Sequence, residues 1–341
     1  MTTGASDKTS VRCAEGSHKP PSRAAASVLK RILAVPEVGI LLPLAAFALL
    51  FYALNPLVLS GGNLVAMLKG MSFVGIIVVG EALLLVVGEL DLSVGSTAGL
   101  CAIVAAWMMK VAGWPVGGAL AAGVAAGALV GLVNGAVAVR IGVPAFITTL
   151  GMLYIAKGMT YLISRGYPID PLPQCVVDFG KAELWGISWS LVIFAAVAIM
   201  GDVALRFTVF GRMIYATGGN REVARIAGIN TSAVKIICYV VTGCLVAVAG
   251  ILTMADLRVG QPEIGVGWEL DAIASVVIGG VSLFGGMGTI AGAVLGLLTM
   301  QVVKSGLSGV HLDPHWQTVA VGVIMIAAVS FDLLRRRAKM H

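Results

Sequence analysis

The chain is predicted to be an all-α, polytopic membrane protein of about ten transmembrane helices, some of them short or broken. Three observations predict it. Hydrophobic residues make up 58% of the 341 and charged residues 12%, where soluble domains carry about 45–50% and about 25%. The apolar residues gather in runs close to the roughly 20 that take a helix across a bilayer, and mean hydropathy is +0.98. The 44 glycines suit helices packed closely in lipid, where small residues let backbones approach. A water-soluble core saturates long before it hides this much apolar side chain, which excludes an ordinary soluble enzyme. Closed barrels also satisfy their backbone in lipid, but they alternate apolar with polar residues, and these runs are uniformly apolar.

Residues 1–35 are polar and carry Ser, Pro, Lys and Arg; they are read as a disordered cytoplasmic tail. The next apolar run lies far from the start and continues into Leu54, unlike a cleavable signal peptide. It is read as an uncleaved first span. A transmembrane domain over 36–335 then holds runs at about 37–57, 64–88, 93–111, 115–139, 144–163, 187–206, 233–255, 270–283, 287–304 and 315–334. Turn chemistry separates them, as at Asn55-Pro56, Gly113-Trp114-Pro115, Gly142-Val143-Pro144, Ser164 to Gly186, and His311 to Pro314.

Lys and Arg bias sets the orientation. With the amino terminus inside, the cytoplasmic segments collect Lys8, Arg12, Lys19, Arg23, Lys30 and Arg31, then Arg140, then Arg206, Arg212, Arg221, Arg225 and Lys235, and lastly Arg335, Arg336, Arg337 and Lys339. Both termini are expected inside, the second as a basic segment over 336–341. The net charge of +6 then reflects topology rather than nucleic-acid binding. Two glycine-bounded breaks echo each other, Gly88 to Gly95 and Gly279 to Gly286, as discontinuous transporter helices do. This topology turns both to the cytoplasm, which does not fit a simple inverted repeat.

The loop over about 207–234 is the longest and most charged internal cytoplasmic segment, and from Arg206 to Lys235 it reads RFTVFGRMIYATGGNREVARIAGINTSAVK. Asn220 has N-cap chemistry, and Glu222 sits in the first turn, where the helix dipole favours a carboxylate. A helix from Glu222 through Ala227 is stopped by Gly228 in the C-cap glycine position. Val223, Ile226 and Ala227 share one face, and Arg221 and Arg225 another. Two turns are marginal alone in water, so this helix needs something to dock against.

Glu222-Val223-Ala224 followed by Gly228 resembles the loop through which permease subunits of bacterial ABC importers contact their ATPase, with Val223 in place of Ala. GELDLSVGS at 88–96, GLVNGAVAVRIGVPAFITTLG at 131–151 and GGVSLFGGMGT at 279–289 extend this to a resemblance to the ribose/xylose-type sugar permease family, from about residue 40 to the end. The resemblance implies an inner-membrane permease homodimer importing a pentose, hexose or related polyol. It also implies a periplasmic sugar-binding protein and a cytoplasmic ATPase that holds ATP and Mg. The implied ATPase-coupling surface comprises Arg212, Gly219, Asn220, Glu222, Val223, Ala224, Arg225, Ile226 and Gly228. The chain itself has no phosphate-binding GxxxxGK[ST] loop and is read as a transport subunit that binds no cofactor, not an enzyme.

Candidate path or gating residues are Glu81, Asp91, Ser93, Asn134, Thr148 and Thr149. Glu81 lies in an apolar span, where an ionisable group faces protein or a water-filled path. Glu89 and Asp91 are placed to cap the helix beginning near Ser93, and the amide and hydroxyls suit either helix-to-helix bonding or a sugar path. Asp256, Glu263, Glu269 and Asp271, with Arg258, are read as an outer polar rim. No metal site is expected: the five cysteines show no paired spacing, and His311 and His315 stand without further ligands. The alternatives are a proton-coupled secondary transporter titrating at Glu81, an ABC permease for another solute such as an amino acid, or a non-transporting scaffold.

Overall fold

The computed structural model describes residues 36–310, 313 and 315–340. The expectations for the 1–35 tail and for His311 lie outside the described residues, as do those for the side chains of the 336–341 segment. The described helices are α1 (Pro36–Leu54), α2 (Gly61–Val87), α3 (Val94–Lys110), α4 (Val116–Ala136, continued by a π turn over Val137–Ile141), α5 (Ala145–Ser164), α6 (Gln174–Lys181), α7 (Trp189–Phe207), α8 (Val209–Gly219), α9 (Arg221–Ile226), α10 (Thr231–Leu257), α11 (Trp268–Ile278), α12 (Ile290–Gly309) and α13 (His315–Met340). A two-residue hairpin, β1 (Glu183–Leu184) and β2 (Ile187–Ser188), joins α6 to α7. Its turn residues Trp185 and Gly186 both have positive φ, the geometry that matches the twist of paired strands.

Each predicted apolar run holds one helix. Among the described residues, six helices are long and apolar enough to cross a membrane: α2, α4 with its π turn, α5, α7, α10 and α12. Segments of α1 and α3 are shorter apolar helices, and the remaining two runs hold α11 and α13.

α2 is the axis of the bundle and is apolar on every side, the pattern of a helix sheathed by others. Ile76, Ile77, Leu84 and Leu85 are fully buried, and α7, α8, α10, α11 and α12 surround the helix. α2 stops at Gly88, whose φ of 82° and N–H bonds back to Leu84 and Leu85 make a left-handed C-cap.

The bundle has two ends. At one, which carries α8 and α9, the Gly286 N–H donates to the Val86 carbonyl at 2.8 Å and the Tyr215 hydroxyl to the Gly288 carbonyl at 2.6 Å. At the far end, the Asn55 amide donates to the Gly309 carbonyl at 2.7 Å, and Ile169 bridges to Gly260.

Two segments turn back inside the bundle. After Gly88 the chain climbs beside α2 until Asp91 meets Glu81, and α3 starts there and runs to the far end. After Gly260 it descends from the far end, and α11 starts at Trp268 and runs toward the α8–α9 end. At about 1.5 Å per residue, neither α3 nor α11 spans the roughly 30 Å hydrocarbon core. Their beginnings meet: a Cβ on Gly95 would overlap the Gly265 carbonyl, and one on Gly265 the Gly95 carbonyl. The echoing breaks at 88–95 and 279–286 are also in contact, but the inverted counterpart of the first is the descent through 258–267. Glu269 and Asp271 therefore do not form an outer rim. The descent carries them inside, where Asp271 pairs with Lys304 at 2.5 Å, whereas Asp256 stays near the far end on Lys69 at 2.6 Å.

Candidate coupling and translocation site

The site builds outward from Asn220. In extended backbone, its side-chain oxygen accepts the N–H groups of Glu222 at 3.0 Å and Val223 at 3.1 Å, satisfying two donors the first turn leaves open. Six residues later the helix ends. Gly228, at φ 85°, donates to the Arg225 carbonyl at 3.0 Å, and Ile229 to Ala224 at 3.0 Å. Ala224 points inward, 3% exposed, while Val223 and Ile226 stand 61% and 83% exposed. Arg225 and Glu222 form an exposed pair at 3.1 Å beside them. Arg212 and Gly219 are also exposed.

Just before this helix, α8 ends in a wedge. A Cβ on Gly218 would overlap the Val86 carbonyl and lie 2.7 Å from the Gly286 nitrogen. The end of α8 thus rests on backbone from both the α2 terminus and the 279–288 break. Just after it, one turn into α10, Lys235 Nζ reaches Glu89 Oε1 at 2.7 Å, and the Tyr239 hydroxyl lies 3.1 Å from Glu89 Oε2 and 3.2 Å from the Leu90 carbonyl. Glu89 is therefore bound to α10 rather than to the start of α3.

Asp91 holds Ser93, the N-cap residue of α3, and does not reach the first-turn N–H groups that the sequence predicts it to cap. Its Oδ1 accepts the Ser93 N–H at 2.7 Å and hydroxyl at 2.6 Å. Asn134 of α4 donates to Asp91 Oδ2 at 3.1 Å and Ser93 Oγ at 3.0 Å, and the Asp91 N–H donates to Glu81 Oε1 at 3.1 Å. All four residues are buried, and Glu81 Oε2 and Asn134 Oδ1 have no partner among the described residues. Thr148 and Thr149 lie apart on α5: the Thr149 hydroxyl donates to the Ala145 carbonyl at 2.8 Å, and that of Thr148 is buried without a partner among the described residues. A loop that grips a re-entrant segment ending in a buried polar cluster can carry movement from one end of the bundle to its middle.

Residues 63–329 match the family model described as branched-chain amino acid transport system / permease component. The chain belongs to this permease family. Over 285 residues it is 36% identical to the ribose import permease protein RbsC of Escherichia coli strain K12, covering 82% of this chain and 88% of the relative. The L-arabinose ABC transporter permease protein AraH of Azospirillum brasilense is 33% identical over 296 residues, 86% of this chain and 87% of the relative. The autoinducer 2 import system permease protein LsrC of Photorhabdus luminescens is 34% identical over 261 residues, 75% and 77%. No solved structure matches the chain.

Two polar features of the permease are not anticipated from its sequence. Lys157, midway along α5, is exposed and lines a small cavity with Glu269 at the start of α11. The signal was a lone Lys in the run 144–163. A second set sits on α12, where Gln301, Lys304, Ser305 and Ser308 interrupt an apolar span at three-to-four spacing.

Proposed function

We propose that this permease is the membrane subunit of an ABC importer for a sugar or related polyol. On this reading two copies form the path, a cytoplasmic ATPase carrying ATP and Mg docks on α9, and a periplasmic binding protein delivers substrate at the far end. The α8–α9 end is then cytoplasmic, in keeping with the Lys and Arg clustered there, and both termini lie on that side. The observation that carries the reading is the α9 peg: a six-residue helix, capped at both ends, that shows Val223 and Ile226 to its surroundings in a chain whose relatives along most of its length are named for ribose import and L-arabinose ABC transport. Isolated apolar side chains on so short a helix gain nothing from water and suit a partner's groove.

Closure of the ATPase pair would press on α9. The push would pass through the Gly218 wedge to the two breaks and through Lys235 to Glu89, and so to the segment that carries Asp91, Ser93 and the start of α3. Glu81, Asp91, Ser93 and Asn134 act on this reading as a gate that moves as a unit, with Thr148 and Thr149 on the α5 wall. A neutral cargo needs no intramembrane charge to hold it, so charges there are free to serve the moving parts.

Co-reconstitution with an ABC-importer ATPase and a sugar-binding protein from the same organism tests the reading. Sugar uptake should require ATP, persist without a proton gradient, and stop in Ala224→Pro. Uptake that collapses with the proton gradient, or an Ile226→Cys variant that never cross-links to the ATPase while transport continues, would count against it.

A further inference from the structure

Between α2, α12 and the first turn of α11 lies a cavity of about 790 Å3, within the roughly 300–1,000 Å3 of small-molecule sites. Its walls are not those of a lipid-facing cleft. Gln301, Lys304, Ser305 and Ser308 form one polar stripe that runs inward along α12 from the far end, facing apolar residues such as Met67 and Val74, and the deeper members, Gln301 and Lys304, are polar or ionisable groups of the kind that face protein or a water-filled cavity. Part of the set holds the walls together: Asn63 Nδ2 donates to Ser305 Oγ at 2.9 Å, and Lys304 pairs with Asp271. That pair leaves the lining without net charge, which disfavours an ionic ligand. What remains is neutral hydrogen-bonding capacity, because Gln301 and Ser308 bond through their side chains to no group among the described residues. Trp268, on the same wall, adds the broad apolar face on which a sugar ring can lie.

We propose that this cavity is a hydrated binding vestibule for an uncharged, polyhydroxylated ligand of monosaccharide size. Gln301 and Ser308 are its ligand-binding groups, and the Lys304–Asp271 pair is the strut that keeps it open. The proposal deepens the sugar-import reading and rests on it for the ligand class. A hydroxyl-rich neutral molecule can use amide and hydroxyl partners as donors and acceptors at once. A lipid tail would leave them unpaired, at a cost.

The test uses the full chain in lipid nanodiscs carrying Ala66→Cys or Gly70→Cys, which line the cavity without belonging to its ligand-binding groups. Each is treated with a charged, membrane-impermeant thiol reagent, alone and with D-ribose, L-arabinose, D-glucose or glycerophosphocholine. Peptide mass spectrometry reads each position, with the exposed Cys175, outside the cavity, as internal control. The introduced thiols should react, and at least one sugar should slow them several-fold while Cys175 and the glycerophosphocholine sample stay unchanged. A folded chain whose introduced thiols do not react, equal labelling with and without every sugar, or protection by glycerophosphocholine alone would overturn the proposal. Should Gly70→Cys fail to fold, Ala66→Cys carries the same readout. Uptake with the partner proteins separates the two readings: protected thiols without import keep the vestibule and remove the importer, and import with unprotected thiols removes only the vestibule.

Discussion

Lys235 and Glu89 are both largely buried and touch at 2.7 Å. Removing one partner strands a buried charge, which costs about 3–5 kcal/mol, whereas replacing both with neutral groups of similar size is close to neutral. Lys235→Met should therefore lower the midpoint of thermal unfolding in detergent, and adding Glu89→Gln should restore most of it. If the pair links the loop to the break, a complex containing the restored double variant should still hydrolyse ATP on its ATPase subunit with little sugar uptake. Full uptake in it would reduce the pair to a structural role. Gly218→Ala makes a similar point without charge, because its methyl would meet backbone at Val86 and Gly286 that no rotamer change can move. It should lose uptake while its unchanged exposed surface still binds the ATPase in a pull-down. At this scale the sequence was legible where partners are close in the chain, as with the bonds from Ser93 to Asp91. It was silent where they are far apart: nothing local announces that Asn134 or Lys235 will meet the 89–93 segment.

At the scale of elements, α9 was legible almost to the residue, because N-cap, first-turn acid and C-cap glycine all lie within nine positions from Asn220 to Gly228. Its two exposed apolar positions carry a prediction. Ile226→Asp changes a side chain 83% exposed, so unfolding should not shift measurably, while binding of the ATPase, measured by co-purification, should fall by an order of magnitude or more as a charge enters an apolar contact. Unchanged binding would mean that α9 does not dock there. The half-helices α3 and α11 were legible as short runs but not as a meeting point. Periodicity reports the length and faces of a helix, not its depth, so the polar residues of 256–271 look the same in sequence whether they fringe the surface or descend into the bundle. The physical reason for the descent lies in the meeting itself. Two helix N-termini brought together place two positive dipole ends at one spot; Glu269 and Asp271 lie in the first turn of α11, and Asp91 accepts the Ser93 N–H where α3 begins.

For the molecule as a whole, the outer face of α5 is the feature a single chain leaves unexplained. α5 packs on α3 and α4, and its other side exposes Tyr154, Ile155, Lys157 and Met159 near the middle of the helix. A lysine at that depth against lipid costs about 2.5–3.5 kcal/mol or more, and Glu269, which shares a small cavity with it, is the carboxylate set beside it there. If two copies line a hydrated path, as proposed above, that cost is removed, since Lys157 then faces water as well as Glu269 of its own chain instead of hydrocarbon. Two outcomes separate these surroundings. If the face meets lipid, Lys157→Met should raise thermal stability and leave uptake intact, and Tyr154→Cys should form no cross-link between copies in native membranes. If it meets the path, Tyr154→Cys should join two copies through a short bifunctional thiol reagent, and Lys157→Met should reduce uptake without raising stability. The second pair of outcomes is expected, because the apolar residues on this face can be covered equally well by lipid or protein, and only the lysine discriminates between them.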